Sequence, residues 1–145
     1  MDAPRHDREK AALRLAVLHA EIEGLRPRLR EGHVPTAFRD MLGPLAEAIA
    51  LCEALDLGEE AARFEAIRAE ARKIALVALG MVAARAEGAV GRMYEPSGGA
   101  GAYAEAKDLF GDAIGLAKRL GLDADARKLE ARLAEVKAVF RGQIG

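Results

Sequence analysis

The sequence predicts an all-α protein of about five antiparallel helices, on the strength of three observations. Strand-favouring and turn-forming polar residues are scarce: there is no Trp and no Asn, and Ser97 and Thr36 are the sole serine and threonine. Ala, Leu, Glu, Arg and Lys, all strong helix formers, dominate what remains. Apolar residues also recur at steps of three and four in five successive segments separated by glycine or proline.

The first helix is expected to open near Pro4, a residue suited to a first turn, with Asp2 as its cap. Its stripe is Leu15, Leu18, Ile22, Leu25 and Leu29, and Pro27 should kink or end it near Gly24, leaving a short basic turn. A second helix is expected from Thr36, acting as its cap, with a bend or restart at the Gly43-Pro44 pair. After Gly58 a long third helix should run from about Glu59 into the low nineties. Its second half, "IALVALGMVAA", is apolar all round and is expected to be buried on every side. The glycine-rich segment 95–102 reads as a flexible connector within one helical domain spanning 1–145. A fourth helix then covers 101–121, Asp123 caps the next turn, and a fifth helix occupies roughly 124–141.

The chain also echoes itself at an offset of 65. Residues 47–74 lie over 112–139 with Ala48, Ile49, Leu51, Leu55, Leu57, Ala61, Glu65, Ala66, Ala69 and Glu70 identical in the second copy. Upstream, Ala37-Phe38 lies over Ala102-Tyr103. The reading is a duplicated helix-turn-helix unit.

Within the second copy, Gly101-x-Tyr103-x-x-Ala106-x-x-x-Phe110-x-x-Ala113-Ile114 resembles the second helix of a tetratricopeptide repeat. Tyr103, Ala106, Phe110, Ala113 and Ala117 share one helical face there, so that small alanines admit a partner helix and aromatics fill the gap. Leu76-x-x-Leu79-Gly80-x-x-Ala83 is similar to the partner helix of that family. The resemblance implies tetratricopeptide-like helical hairpins; a compact helical bundle with a duplicated hairpin buries the same faces. It further implies a groove lined by the first helix of each pair, here the helices around 10–23, 59–85 and 124–141. Family members that clamp a C-terminal carboxylate use asparagines, which this chain lacks.

Composition narrows the function classes. With 22 basic and 23 acidic residues the formal net charge is −1, which gives no overall footprint for nucleic acid. Charged residues make up 31% and apolar ones 51%, the balance of a folded globular chain. Cys52 is alone, so no disulfide framework or thiolate metal site is expected. No apolar segment precedes residue 11 and no uninterrupted apolar run approaches about 20 residues. The expectation is therefore a cytoplasmic protein without a membrane partner.

Catalytic signatures do not emerge. His19 and Glu23 are spaced to share a helical face, but no Glu-x-x-His pair accompanies them. Ser97 lacks a Gly-x-Ser-x-Gly elbow, and the glycines beside it lack the Lys-Ser/Thr of a phosphate loop. Cys52 falls in an apolar register, as a small core residue does. The function expected is a non-enzymatic helical interaction module or adaptor for a protein or peptide, with no cofactor. Its candidate contacts are Arg63, Arg68 and Arg72 on the third helix, Arg127 and Lys128 on the last, and Arg26, Arg28 and Arg30 in the basic turn. The alternative is a homodimeric helical bundle with a small-ligand or nucleic-acid role, in which Gly80, Ala84 and Gly88 permit a close helix crossing within or between chains.

Overall fold

The computed structural model describes residues 3–144, with side chains described for 5–142. Five α-helices run α1 (Ala3–Leu25), α2 (Val34–Ala54), α3 (Gly58–Arg92), α4 (Gly99–Arg119) and α5 (Asp123–Ile144). A single 3₁₀ turn, Arg26–Leu29, follows α1, and no strand occurs among the described residues. The all-α expectation holds. The proposed Asp2 cap lies outside the described residues.

The helices form two compact units, Met1–Ile74 and Ala75–Gly145. The first contains α1, α2 and the start of α3. Pro27 has no N–H to continue α1, so the chain tightens into the 3₁₀ turn and reverses at Gly32, whose φ of +86° suits glycine. α2 opens one turn earlier than expected. The His33 carbonyl accepts the Ala37 N–H at 2.9 Å and the Thr36 hydroxyl at 3.2 Å, so Thr36 is a donor in the first turn and not the cap. Nor does α2 restart at Pro44. Proline forgoes one helical hydrogen bond, and the buried residues around it, Met41, Leu45, Ala48 and Ile49, hold the helix in place. Leu18 and Ile22 of α1 are fully buried in the same core as Phe38. On its surface Arg14 grips Glu47 with two bonds of 3.0 and 2.9 Å, and that guanidinium holds the Glu47 carboxyl below its usual range.

The second unit packs the end of α3 against α4 and α5. Phe110 and Val136 are buried among Ala86, Ala89, Ala102 and Ala106, with Val90 and Met93 completing the cluster. Tyr103 and Phe140 stack at its edge with ring centroids 3.8 Å apart and planes 12° from parallel. Arg132 of α5 donates to both carboxylate oxygens of Glu87 of α3, at 2.7 and 2.9 Å. Asp123 is the first helical residue of α5 and not its cap, because the Leu122 carbonyl already accepts the Ala126 N–H at 2.9 Å. Its charge still complements the helix N-terminus.

Half of the expected connector 95–102 is helix, since α4 begins at Gly99. The chain between α3 and α4 is a run of hydrogen-bonded turns in which Glu95 donates to the Arg92 carbonyl and Gly98 to that of Glu95. A Cβ on Gly99 would stand 3.4 Å from the Met93 carbonyl oxygen, so the turn passes close to the end of α3.

The apolar half of α3 is not buried on every side. Ala75, Ala78, Ala86 and Ala89 are buried, but Leu76, Val77 and Met81 are 44%, 66% and 56% exposed. One side of this stretch faces the core and the other faces outward. No intrachain close crossing occupies Gly80, where a Cβ would meet nothing within 4 Å.

The echo at offset 65 has a counterpart in backbone geometry. α2 and α4 are both 21 residues long and start 65 positions apart. Between α2 and α3 the Asp56 N–H donates to Glu53 and the Leu57 N–H to Cys52; between α4 and α5 the Gly121 N–H donates to Lys118 and the Leu122 N–H to Ala117. Each is a Schellman ending with one left-handed residue, Asp56 at φ 59° and Gly121 at φ 76°. The two positions differ in cost. A side chain in this conformation is disfavoured where glycine is not. Asp56→Gly should therefore raise stability by about 0.5–1 kcal/mol, and Gly121→Asp should lower it by a similar amount although open space surrounds that position. Thermal unfolding of both variants checks the pair; a loss at Asp56→Gly would show that the aspartate side chain stabilises the turn.

Candidate functional site: a groove between α1 and α3

Within the first unit a chain of three connected cavities follows the seam between α1 and the start of α3. The largest, about 460 Å³, is walled by Glu23, Arg26, Pro27, Leu29, Arg30 and Glu31 on one side and Ile67, Glu70, Ala71 and Ile74 on the other. The next, about 270 Å³, shares Glu23, Arg26 and Ile67 with it and adds His19, Glu60, Arg63, Phe64 and Ala66. A third, about 340 Å³, continues from His19 and Phe64 to Ala12, Leu15, Ala16 and Leu57. Residues rise together on both walls, so the two helices run in the same direction along the groove.

The helical repeat explains the lining. On α1, Ala12, Ala16, His19 and Glu23 step by three or four, and Arg26 and Arg30 of the following turn extend the row; on α3, Glu60, Phe64, Ile67, Glu70 and Ile74 do the same. The floor is apolar: Phe64, Ala71 and Leu29 are buried, and Ile67 and Ile74 are half-buried. His19 stands edge-on to Phe64, with ring centroids 5.9 Å apart and planes at 76°. The rim is charged. Arg26 donates to Glu23 at 3.0 Å and reaches across to Glu70 at 3.5 Å, while Arg30 lies 3.7 Å from Glu70. All four side chains are at least one-third exposed, so these pairs are weak and exchangeable. Arg63 makes no ion pair among the described residues.

Of the contacts named from the sequence, Arg26, Arg30 and Arg63 come together on this rim. Arg28 sits in the same 3₁₀ turn but outside the lining, as do Arg68 and Arg72 farther round α3. Arg127 and Lys128 are exposed on α5, in the other unit. Sequence reasoning missed the floor. Phe64, Ile67 and Ile74 do carry a signal, an apolar stripe at steps of three and seven on an otherwise charged helix, and it reads equally well as ordinary core. His19 belongs to an aromatic contact, and no group of His, Cys, Asp and Glu among the described residues is placed to hold a metal ion. Cys52 is buried, and burial together with the nearby Glu60 and Glu53 pushes its thiol pKa up.

Comparison with family models, with curated proteins and with solved structures finds no match to the chain.

Proposed function

We propose that the chain is a non-enzymatic helical interaction module that takes an amphipathic helix or peptide into the groove between α1 and α3. The observation that carries this reading is the groove's construction, an apolar floor of Phe64, Ile67 and Ile74 under a rim of exchangeable charges. Helix-in-groove recognition needs those two ingredients, apolar anchors for affinity and rim charges for orientation. The walls are also two of the helices that the tetratricopeptide resemblance assigns to a binding groove. Arg63, which makes no ion pair among the described residues, stands beside the apolar floor and would meet an acidic residue of the partner. The Arg26–Glu70 bridge spans the groove and would open as the partner enters.

Selection of a random peptide library on the full chain tests this. Enriched peptides should carry apolar residues at helical spacing with an acidic residue among them. Ile67→Asp should abolish binding by at least tenfold, since it places a carboxylate on the floor, while the circular dichroism spectrum stays unchanged at this half-exposed position. Arg63→Glu should shift the selected residue from acidic to basic. Peptides that bind Ile67→Asp as well as the parent chain would refute the groove.

A further inference from the structure

We propose that the outward face of α3 between Leu76 and Gly88 pairs with the same face of a second copy of this chain, the two helices running antiparallel and crossing at Gly80. The inference stands apart from the groove, which lies in the other unit and uses other residues. It starts from an anomaly. Leu76, Val77 and Met81 are among the most exposed large apolar side chains of the chain. Large exposed apolar residues scattered singly need no explanation, whereas a contiguous set on one helix marks an interaction surface.

Gly80, Ala84 and Gly88 run alongside them at steps of four, all exposed. A Cβ on Gly80 would meet nothing within 4 Å, and one on Gly88 would meet only the tip of Arg92 at 3.9 Å. The small residues therefore serve no close packing inside this chain, although glycine within a helix costs about 1 kcal/mol of propensity against alanine.

Self-complementarity identifies the occupant. In an antiparallel pair crossing at Gly80, each residue faces the one equally far on the other side of Gly80 in the second copy. Leu76 then meets Ala84 and Val77 meets Ala83, large against small, twice over by symmetry. Lys73 meets Glu87. Lys73 makes no ion pair among the described residues. Glu87 uses one bond from each oxygen on Arg132 and remains 49% exposed, so its carboxylate can accept a further donor. The Leu76–Ala84 and Val77–Ala83 sizes and the Lys73–Glu87 charges thus match their own two-fold image, as an isologous interface requires, while Met81 faces Leu79 in an apolar contact at the flank. A single helix pair buries less than a standard interface of about 1,600 Å², so the association is concentration-dependent.

The same helix contains an 18-residue stretch long and apolar enough to cross a bilayer, 28% of it buried. That makes a lipid surface the competing occupant. The charges flanking the face and the glycines at its centre favour a second chain.

Sedimentation of the full chain over a concentration series should show the mass rising from 15.4 kDa towards twice that value. Val77→Glu and Met81→Glu, both at exposed positions, should hold the chain at the monomer mass with an unchanged circular dichroism spectrum. Lys73→Glu should raise the dissociation constant severalfold. Gly80→Cys should give a disulfide-linked dimer under mild oxidation, with Leu13→Cys, at a 69% exposed site on α1, as the unlinked control; buried Cys52 does not compete. Mixing Leu76→Cys with Ala84→Cys chains should link the two in preference to like with like, which a parallel pair would not do. A monomer mass at every concentration would overturn the proposal. So would self-association untouched by Val77→Glu and Met81→Glu, or partition of a monomer into phosphatidylcholine vesicles without pairing in solution.

Discussion

Phe110→Ala should lower the stability of the folded protein by about 3–5 kcal/mol. Phe110 is 1% exposed, and four of its cluster companions are the alanines Ala86, Ala89, Ala102 and Ala106. Alanine has no rotamer with which to reach into a vacated volume, so the cavity left by the ring cannot collapse through side-chain movement alone. That places the expected cost at the upper end of the range. Urea unfolding followed by circular dichroism measures it, and a loss below about 1 kcal/mol would mean that α4 and α5 can close on one another. The same volume in an intact cavity would stay dry and admit a small apolar molecule.

Phe38→Ala, in the first unit, should cost about 3 kcal/mol, nearer the lower end. Phe38 is fully buried, but Met41, Leu45, Leu18 and Ile22 belong to the same core and are longer and more adaptable than alanine. This unit also carries its own reporter. Cys52 is 0% exposed and its thiol pKa is raised, so a thiol reagent reaches it only when the unit opens. Phe38→Ala should therefore accelerate labelling of Cys52 by one to two orders of magnitude, while Phe110→Ala, in the other unit, should leave the rate close to that of the parent chain. Equal acceleration by both would show that the two units open together.

The helices are legible in the sequence because glycine and proline punctuate it and because few other residues compete with helix. Pro27, Gly58 and the Leu57 and Leu122 turns each mark an ending within a residue or two of its place. A restart at Pro44 is suggested by the sequence and does not occur, for a physical reason. The loss of one hydrogen bond is a local cost visible in the sequence, whereas the burial of Met41, Leu45 and Ile49 that outweighs it depends on neighbours not adjacent in the chain. The second half of α3 is misread in the opposite sense. An all-round apolar helix reports a preference for burial on every side, and cannot report how many neighbours are present to satisfy it. Leu76, Val77 and Met81 are left outward for want of one within the chain.

The candidate site is half legible for a related reason. Arg26, Arg30 and Arg63 can be named as surface contacts because arginine is rarely buried. Their convergence cannot, since it requires α1 and α3 to stand far enough apart for an open seam. Phe64 and Ile67 would be plain core residues if the seam were closed. What turns a hydrophobic stripe into a floor is the distance between two helices, and no single-helix pattern encodes it.

The matched turns after α2 and α4 bear on how fast the chain finds its structure. Each joins two long helices through three residues, so the loop to be closed is close to the shortest a helical hairpin allows and its entropy is small. Helical folds dominated by such local closures fold in microseconds to milliseconds. Because both hairpins share one turn geometry, the arrangement of the chain does not rank them. The residue in the left-handed position does: glycine enters that conformation freely and aspartate does not. The Gly121 turn should therefore close at a lower local conformational cost than the Asp56 turn, and Asp56→Gly should speed refolding if the amino-terminal hairpin forms in the transition state.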